Sequence, residues 1–199
     1  MNTASLNPTP SPHPGHLTYL LGVFGLSRGE RPDFRVLLRH AGMEVRAYGP
    51  LLLIETEVEG DYLGATREGQ VRLRRYFHGE NSINTTIAAT TPVLAEATPD
   101  GWKSSFYLPA HFSFSTTPRP TDPRLRVQLE PAHLKAVANF RGPDTAEKIS
   151  LLGAELIQTL RETPNYVPLG RPMIARYDLP HTLHFLRRCE VQLRVTSGN

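Results

Sequence analysis

A chain of 199 residues is long enough to close one hydrophobic core, and its formal net charge of +3 (22 Lys+Arg against 19 Asp+Glu) falls short of a dedicated nucleic-acid binder. A single cysteine, Cys189, excludes an internal disulfide framework and Cys-rich zinc modules. No apolar run reaches the ~20 residues that a membrane span needs.

Residues 1–15 alternate proline with small polar residues, a composition that predicts a solvated tail. The apolar run Leu17–Leu26 has no Lys or Arg before it and no small-x-small cleavage site after it. Arg28, Glu30 and Arg31 follow instead, so residues 16–30 read as a short helix or apolar arm rather than a signal peptide, and a cytoplasmic location is expected. Residues 31–199 read as one domain.

Short strands are predicted at 34–39 and 43–48, split by a turn at Ala41-Gly42. After Gly49-Pro50, Leu52, Ile54, Thr56 and Val58 alternate with Leu53, Glu55, Glu57 and Glu59, the period of a strand with one wet face. From Asp61 to His78, Ala65, Gly69, Leu73 and Tyr76 recur at helical spacing, with Asp61 as the N-cap and Gly79 as the stop. Strands follow at 85–93 and 102–108, joined through Thr98-Pro-Asp-Gly101, and the proline-rich stretch 109–123 reads as a loop. The second half repeats the order loosely. Strands at 125–130 and 133–140 precede a helix opened by Asp144 and Glu147 as a capping box, with Ile149, Leu152, Leu156 and Leu160 as its apolar stripe, ending before Pro164. Strands at 172–177 and 190–196 complete it. Two helices cannot cover this many strands on both faces, so the sheet must bend and bury part of itself: an α+β protein with a barrel-like antiparallel sheet.

Five runs in this order resemble the SOUL haem-binding protein family: Glu44-Val-Arg-Ala-Tyr-Gly-Pro50, Glu55 to Asp61, Thr90-Thr-Pro-Val93, Ala175-Arg-Tyr-Asp-Leu-Pro180 and Phe185-Leu-Arg-Arg-Cys-Glu-Val191. The resemblance spans Phe34 to Val195. It implies a distorted antiparallel β-barrel of two pseudo-symmetric strand–helix–strand units with two main helices, similar also to the effector-binding domains of multidrug regulators. It further implies a haem or tetrapyrrole site in an apolar groove beside the first helix, with basic residues near the propionates. By position the first helix supplies Arg67, Val71, Arg74 and Arg75, with His78 at its end, and the loop before the last strand supplies His181, His184, Phe185, Arg187 and Arg188. Arginine suits such a ligand because it can grip a carboxylate in bidentate fashion.

Two positions depart from the family pattern. Ala47 stands where some members carry a histidine proposed as iron ligand, and Ala89-Thr-Thr-Pro-Val93 replaces a run that usually begins with methionine. His181 or His184 is then the candidate axial donor. A zinc site from His181, His184 and Cys189 lacks a fourth ligand. No G-x-S-x-G, G-x-x-x-x-G-K, G-x-G-x-x-G or H-E-x-x-H motif is present, so no catalytic residue is assigned. The expectation is a non-enzymatic protein that binds haem or a related tetrapyrrole reversibly, for buffering or transfer, with no nucleic-acid partner and no membrane span. Two alternatives stand beside it: a general module for hydrophobic small molecules, and a hydrolase marked by a convergent Glu–Tyr pair inside the pocket.

Overall fold

Among the described residues, those that alternate apolar and polar build nine strands, arranged with two helices in the order β1 (Phe34–His40), β2 (Met43–Tyr48), β3 (Leu51–Glu59), α1 (Tyr62–Phe77), β4 (Val93–Ala97), β5 (Gly101–Tyr107), β6 (Arg126–Glu130), β7 (His133–Arg141), α2 (Ala146–Arg161), β8 (Tyr166–Arg176) and β9 (Arg188–Ser197). This computed structural model describes residues 29–163, 165–178 and 182–198. The expected tail at 1–15, the arm at 16–30 up to residue 28, and His181 lie outside the described residues.

The strands form one antiparallel sheet in the order β1-β2-β7-β9-β8-β4-β5-β3-β6. The two halves mirror one another about the β8–β4 pairing: β3-α1-β4-β5 and β7-α2-β8-β9 are the same strand–helix–hairpin unit. The expected barrel is not closed, because among the described residues β1 and β6 remain unpaired edges. The reason lies in an exchange of partners. β2 and β3 are consecutive but do not pair; β2 pairs β7, and β3 pairs β6. Residues 49–50 and 131–132 therefore step across a seam that carries no ladder. At ~3.8 Å per residue, Tyr48 and Leu51 lie at most ~11 Å apart, so the ends of the sheet are held near each other by the chain itself.

Alternation gives the sheet an outer and an inner face. Between the outer face and α1, Ile54 and Phe106 of the sheet pack with Leu73, Tyr76 and Phe77 of the helix, and between that face and α2, Val45, Ala136, Val191 and Leu193 pack with Leu156 and Leu160. Asp61 caps α1, accepting from the Gly64 N–H at 2.8 Å, as expected. Thr145, not Asp144, caps α2, accepting from the Lys148 N–H at 3.2 Å. Asp144 is taken instead by the Tyr62 hydroxyl and by Arg176 Nη1 at 3.3 Å, which tie the starts of both helices to the end of β8. The strand expected at 85–93 begins only at Val93, and the strand expected from Pro172 begins at Tyr166. In the second case Pro168, Gly170 and Pro172 read as breakers, whereas the pairing with β9 accommodates them at an irregularity between Leu169 and Met173, with Gly170 at φ +71°.

Candidate functional site

The inner face is apolar along one strip, where Leu53, Leu94, Tyr107, Met173 and Ala175 pack together. Beside that strip the face opens into a cavity of about 630 Å³, within the range of small-molecule sites. Five aromatic residues line it: Phe34, Tyr48, Tyr107, Phe140 and Tyr177. They come from β1, β2, β5, β7 and the end of β8, so the curl of the sheet, not any one element, assembles the wall.

A buried polar cluster forms one side. Arg46 on β2 donates from Nη1 to Glu190 Oε1 on β9 at 2.9 Å and from Nε to Glu44 Oε2 at 2.8 Å. The guanidinium carbon lies 4.3 Å from the Phe34 ring centroid. The Tyr177 hydroxyl and Gln192 Nε2 each donate to Glu190 Oε2 at 2.7 Å. Glu190 is thus held by one cation and two neutral donors.

Among the described residues, four arginines line the cavity against that one carboxylate: Arg31, Arg46, Arg141 and Arg188. Arg188 forks onto Asp178, with Nη2 2.6 Å from Oδ1 and Nε 3.1 Å from Oδ2. Arg31 lies over the Tyr177 ring at 5.1 Å. Among the described residues neither Arg31 nor Arg141 has a carboxylate partner, and both are exposed.

The thiol and phenols among the residues that line the cavity are held protonated. Burial pushes the Cys189 thiol up to about 12. Burial also raises the phenols of Tyr48, Tyr107 and Tyr177, the last helped by the charge of Glu190. Among the described residues no three His, Cys, Asp or Glu side chains gather to hold a metal ion.

A smaller cavity of about 110 Å³ lies further along the inner face, lined in part by Lys103, Glu130, Lys135 and Arg194. Lys135 is fully buried and donates to the Tyr107 hydroxyl oxygen at 3.1 Å, with Glu130 Oε2 at 3.9 Å. Burial brings its ammonium down to about 8 against the pull of Glu130. Tyr107 therefore stands between the two cavities.

Of the residues expected from the resemblance, Arg188 lines the large cavity. Arg67, Val71, Arg74, Arg75 and His78 are exposed on α1, which packs on the outer face of β3 and β5, and Arg75 reaches only Glu80 at 3.8 Å. Phe185 is exposed on a single 3₁₀ turn, His184–Leu186, and Arg187 Nε donates to the Thr182 carbonyl at 3.1 Å. The structure does not bring the α1 residues to the cavity where Arg188 lies. Sequence reasoning missed Arg31, Arg46, Tyr107, Arg141, Tyr177, Glu190 and Gln192. A signal was available: Arg46, Tyr48, Tyr177 and Glu190 all sit inside the quoted runs, three of them on strands whose alternate positions are apolar and Tyr177 directly after the end of β8.

Among the described residues no helix is long and apolar enough to cross a membrane. Similar solved structures include the C-terminal domain of EcmrR, 12% identical over 77% of this chain and 96% of that one, with a TM-score of 0.54. EcmrR in a complex with DNA is 11% identical over 79% and 57%, with a TM-score of 0.59. A hydrolase from Listeria innocua is 12% identical over 80% and 94%, with a TM-score of 0.53. At these identities the likeness establishes the fold alone. No curated protein matches the chain. The profile of the SOUL heme-binding protein family matches residues 29–194, a span that contains every strand but the last residues of β9 and both helices, and the chain belongs to that family.

Proposed function

We propose that this protein binds haem or a related tetrapyrrole reversibly, without catalysing a reaction, and that the ligand lies in the large inner-face cavity. The observation that carries the reading is the aromatic wall combined with an excess of arginine. A tetrapyrrole offers broad apolar faces to Phe34 and Tyr48, and its carboxylates suit the guanidinium groups of Arg31 and Arg141 at the rim, which have no carboxylate partner among the described residues. The same excess argues against a hydrophobic cation, because Arg46 already neutralises the one carboxylate lining the cavity. Family membership supports haem as the ligand class.

With the thiol and phenols kept protonated, the ligand is held through its faces and carboxylates rather than through iron. Such a site favours exchange over redox work, which suits buffering or transfer.

Titrating haemin and metal-free protoporphyrin IX, followed by absorbance and tyrosine fluorescence, tests the reading. Both are expected to bind with micromolar affinities that agree within about threefold, since iron adds little. Arg141→Glu with Arg31→Glu should weaken both at least about tenfold by reversing the charge of the rim. The groove beside α1 makes the opposite prediction: Arg75→Glu weakens binding and the rim pair does not. Absence of binding by either tetrapyrrole at tens of micromolar protein overturns the proposal.

One observation favours a second reading. The Tyr177–Glu190 hydrogen bond is a Glu–Tyr pair inside the cavity, the marker set for a hydrolase. Glu190 is already engaged by Arg46 and Gln192 as well, which leaves it poorly placed to move a proton. Ester cleavage that Glu190→Gln abolishes, with the fold intact, would promote this reading over the first.

A further inference from the structure

Two polar groups on the cavity wall have their hydrogen-bonding sense fixed by charged neighbours. Lys135 carries only donors, so in its bond to Tyr107 the phenol oxygen is the acceptor and the phenol proton must point elsewhere. Among the described residues nothing accepts that proton. Glu190 carries only acceptors when ionised, so Gln192 must turn its NH₂ toward it; Gln192 Oε1 is then buried without a partner. Tyr107 and Gln192 both line the large cavity and are 3% and 1% exposed. They face one region: Tyr107 packs in the inner-face strip with Met173, and Met173 is the residue registered opposite Gln192 in the β8–β9 pairing.

A donor and an acceptor left over on one buried wall are costly unless something satisfies both. We infer that Tyr107 O–H and Gln192 Oε1 form a subsite for a ligand group bearing a carbonyl oxygen and an N–H together, a lactam, and that the cavity therefore prefers an open-chain tetrapyrrole, which ends in lactam rings, over a closed macrocycle. This rests on the tetrapyrrole reading and sharpens it. The macrocycle can place its carboxylates on the rim arginines, but it has no peripheral carbonyl–N–H pair to offer at the inner wall. Lys135 acts here as a positioning residue, directing the proton of Tyr107.

Competitive titration of biliverdin against protoporphyrin IX tests the inference on the full chain. Biliverdin should bind about tenfold more tightly to the wild type, the worth of one buried hydrogen bond or slightly more. Tyr107→Phe and Gln192→Leu should each reduce that preference, read as the ratio of the biliverdin and protoporphyrin affinities of the same variant, to about threefold or less. Circular dichroism of both variants confirms that the fold survives. Equal affinities in the wild type, or a preference that neither variant moves, overturns the subsite while the tetrapyrrole site stands. If neither tetrapyrrole binds, that site falls, and the subsite is judged with 2-pyrrolidone at millimolar concentration. A shift of the Tyr107 ¹³Cζ resonance that Gln192→Leu diminishes upholds the subsite, and no shift overturns it.

Discussion

Arg46 and Lys135 are both buried cations on the inner face, and they differ in how well they are matched. Arg46 has Glu44 and Glu190 within 2.9 Å, an arrangement in which each charge replaces the water it has lost. Arg46→Met removes the cation that neutralises Glu190 and is expected to cost about 3 kcal/mol in urea unfolding, with loss of the Phe34 stacking contact as a further penalty. An effect below about 1 kcal/mol would show that Tyr177 and Gln192 alone can stabilise the buried carboxylate. Among the described residues Lys135 has only a phenol oxygen in hydrogen-bonding range, and its paired carboxylate oxygen, on Glu130, is 3.9 Å away. Burial holds its ammonium at about 8 rather than the ordinary 10.5, while Glu130 and Glu96 oppose the shift and Arg194 adds to it. In the unfolded chain the proton stays on up to ~10.5, so between these values unfolding takes up a proton and stability rises with pH. The wild type should gain about 2 kcal/mol relative to Lys135→Met between pH 8 and 9.5, read from paired urea titrations. A constant difference across that window would mean that the amine titrates normally. Neither residue's role could be read from its type. Arg46 lies in a quoted run and Lys135 in a predicted strand, yet alternation alone marks such positions as wet, and they are dry only because the inner face curls over them.

At the scale of elements, each helix is seated on the sheet by one glycine. A Cβ at Gly69 of α1 would lie 2.8 Å from Ser104 Oγ and 2.9 Å from its Cβ on β5. A Cβ at Gly153 of α2 would lie 2.5 Å from Pro172 Cγ on β8. These positions correspond in the two halves, so close helix–sheet approach through glycine is part of the repeated unit. Gly153→Ala should destabilise by about 1–2 kcal/mol, because overpacking against a rigid proline ring outweighs the ~1 kcal/mol that alanine gains in helix propensity. A stabilised variant in thermal unfolding would show that α2 can lift without cost. Helix extents were legible beforehand, since Asp61 and the stripes of α1 and α2 follow from spacing. The cap of α2 was not: Asp144 and Thr145 are both good caps, and only the arrival of Tyr62 and Arg176 from elsewhere assigns Asp144 to another task.

For the whole molecule, the exchange of partners between β2 and β6 explains both the open sheet and the cavity. Because residues 49–50 and 131–132 bridge the seam, the two ends of the sheet face one another, and residues far apart in strand order meet: Lys135 on β7 reaches Tyr107 on β5, and Arg194 on β9 reaches Glu130 on β6. The order of strands and helices, the repeat of two similar halves and the family itself were contained in the local sequence, because periodicity, capping and turn chemistry act over a few residues. Which strands flank the seam, which of the two faces closes over a cavity, and whether a given arginine points to solvent or into that cavity depend on contacts between residues a hundred or more positions apart, as between Arg46 and Glu190. Alternation assigns a side chain to a face, but only the curvature of the assembled sheet makes that face an interior.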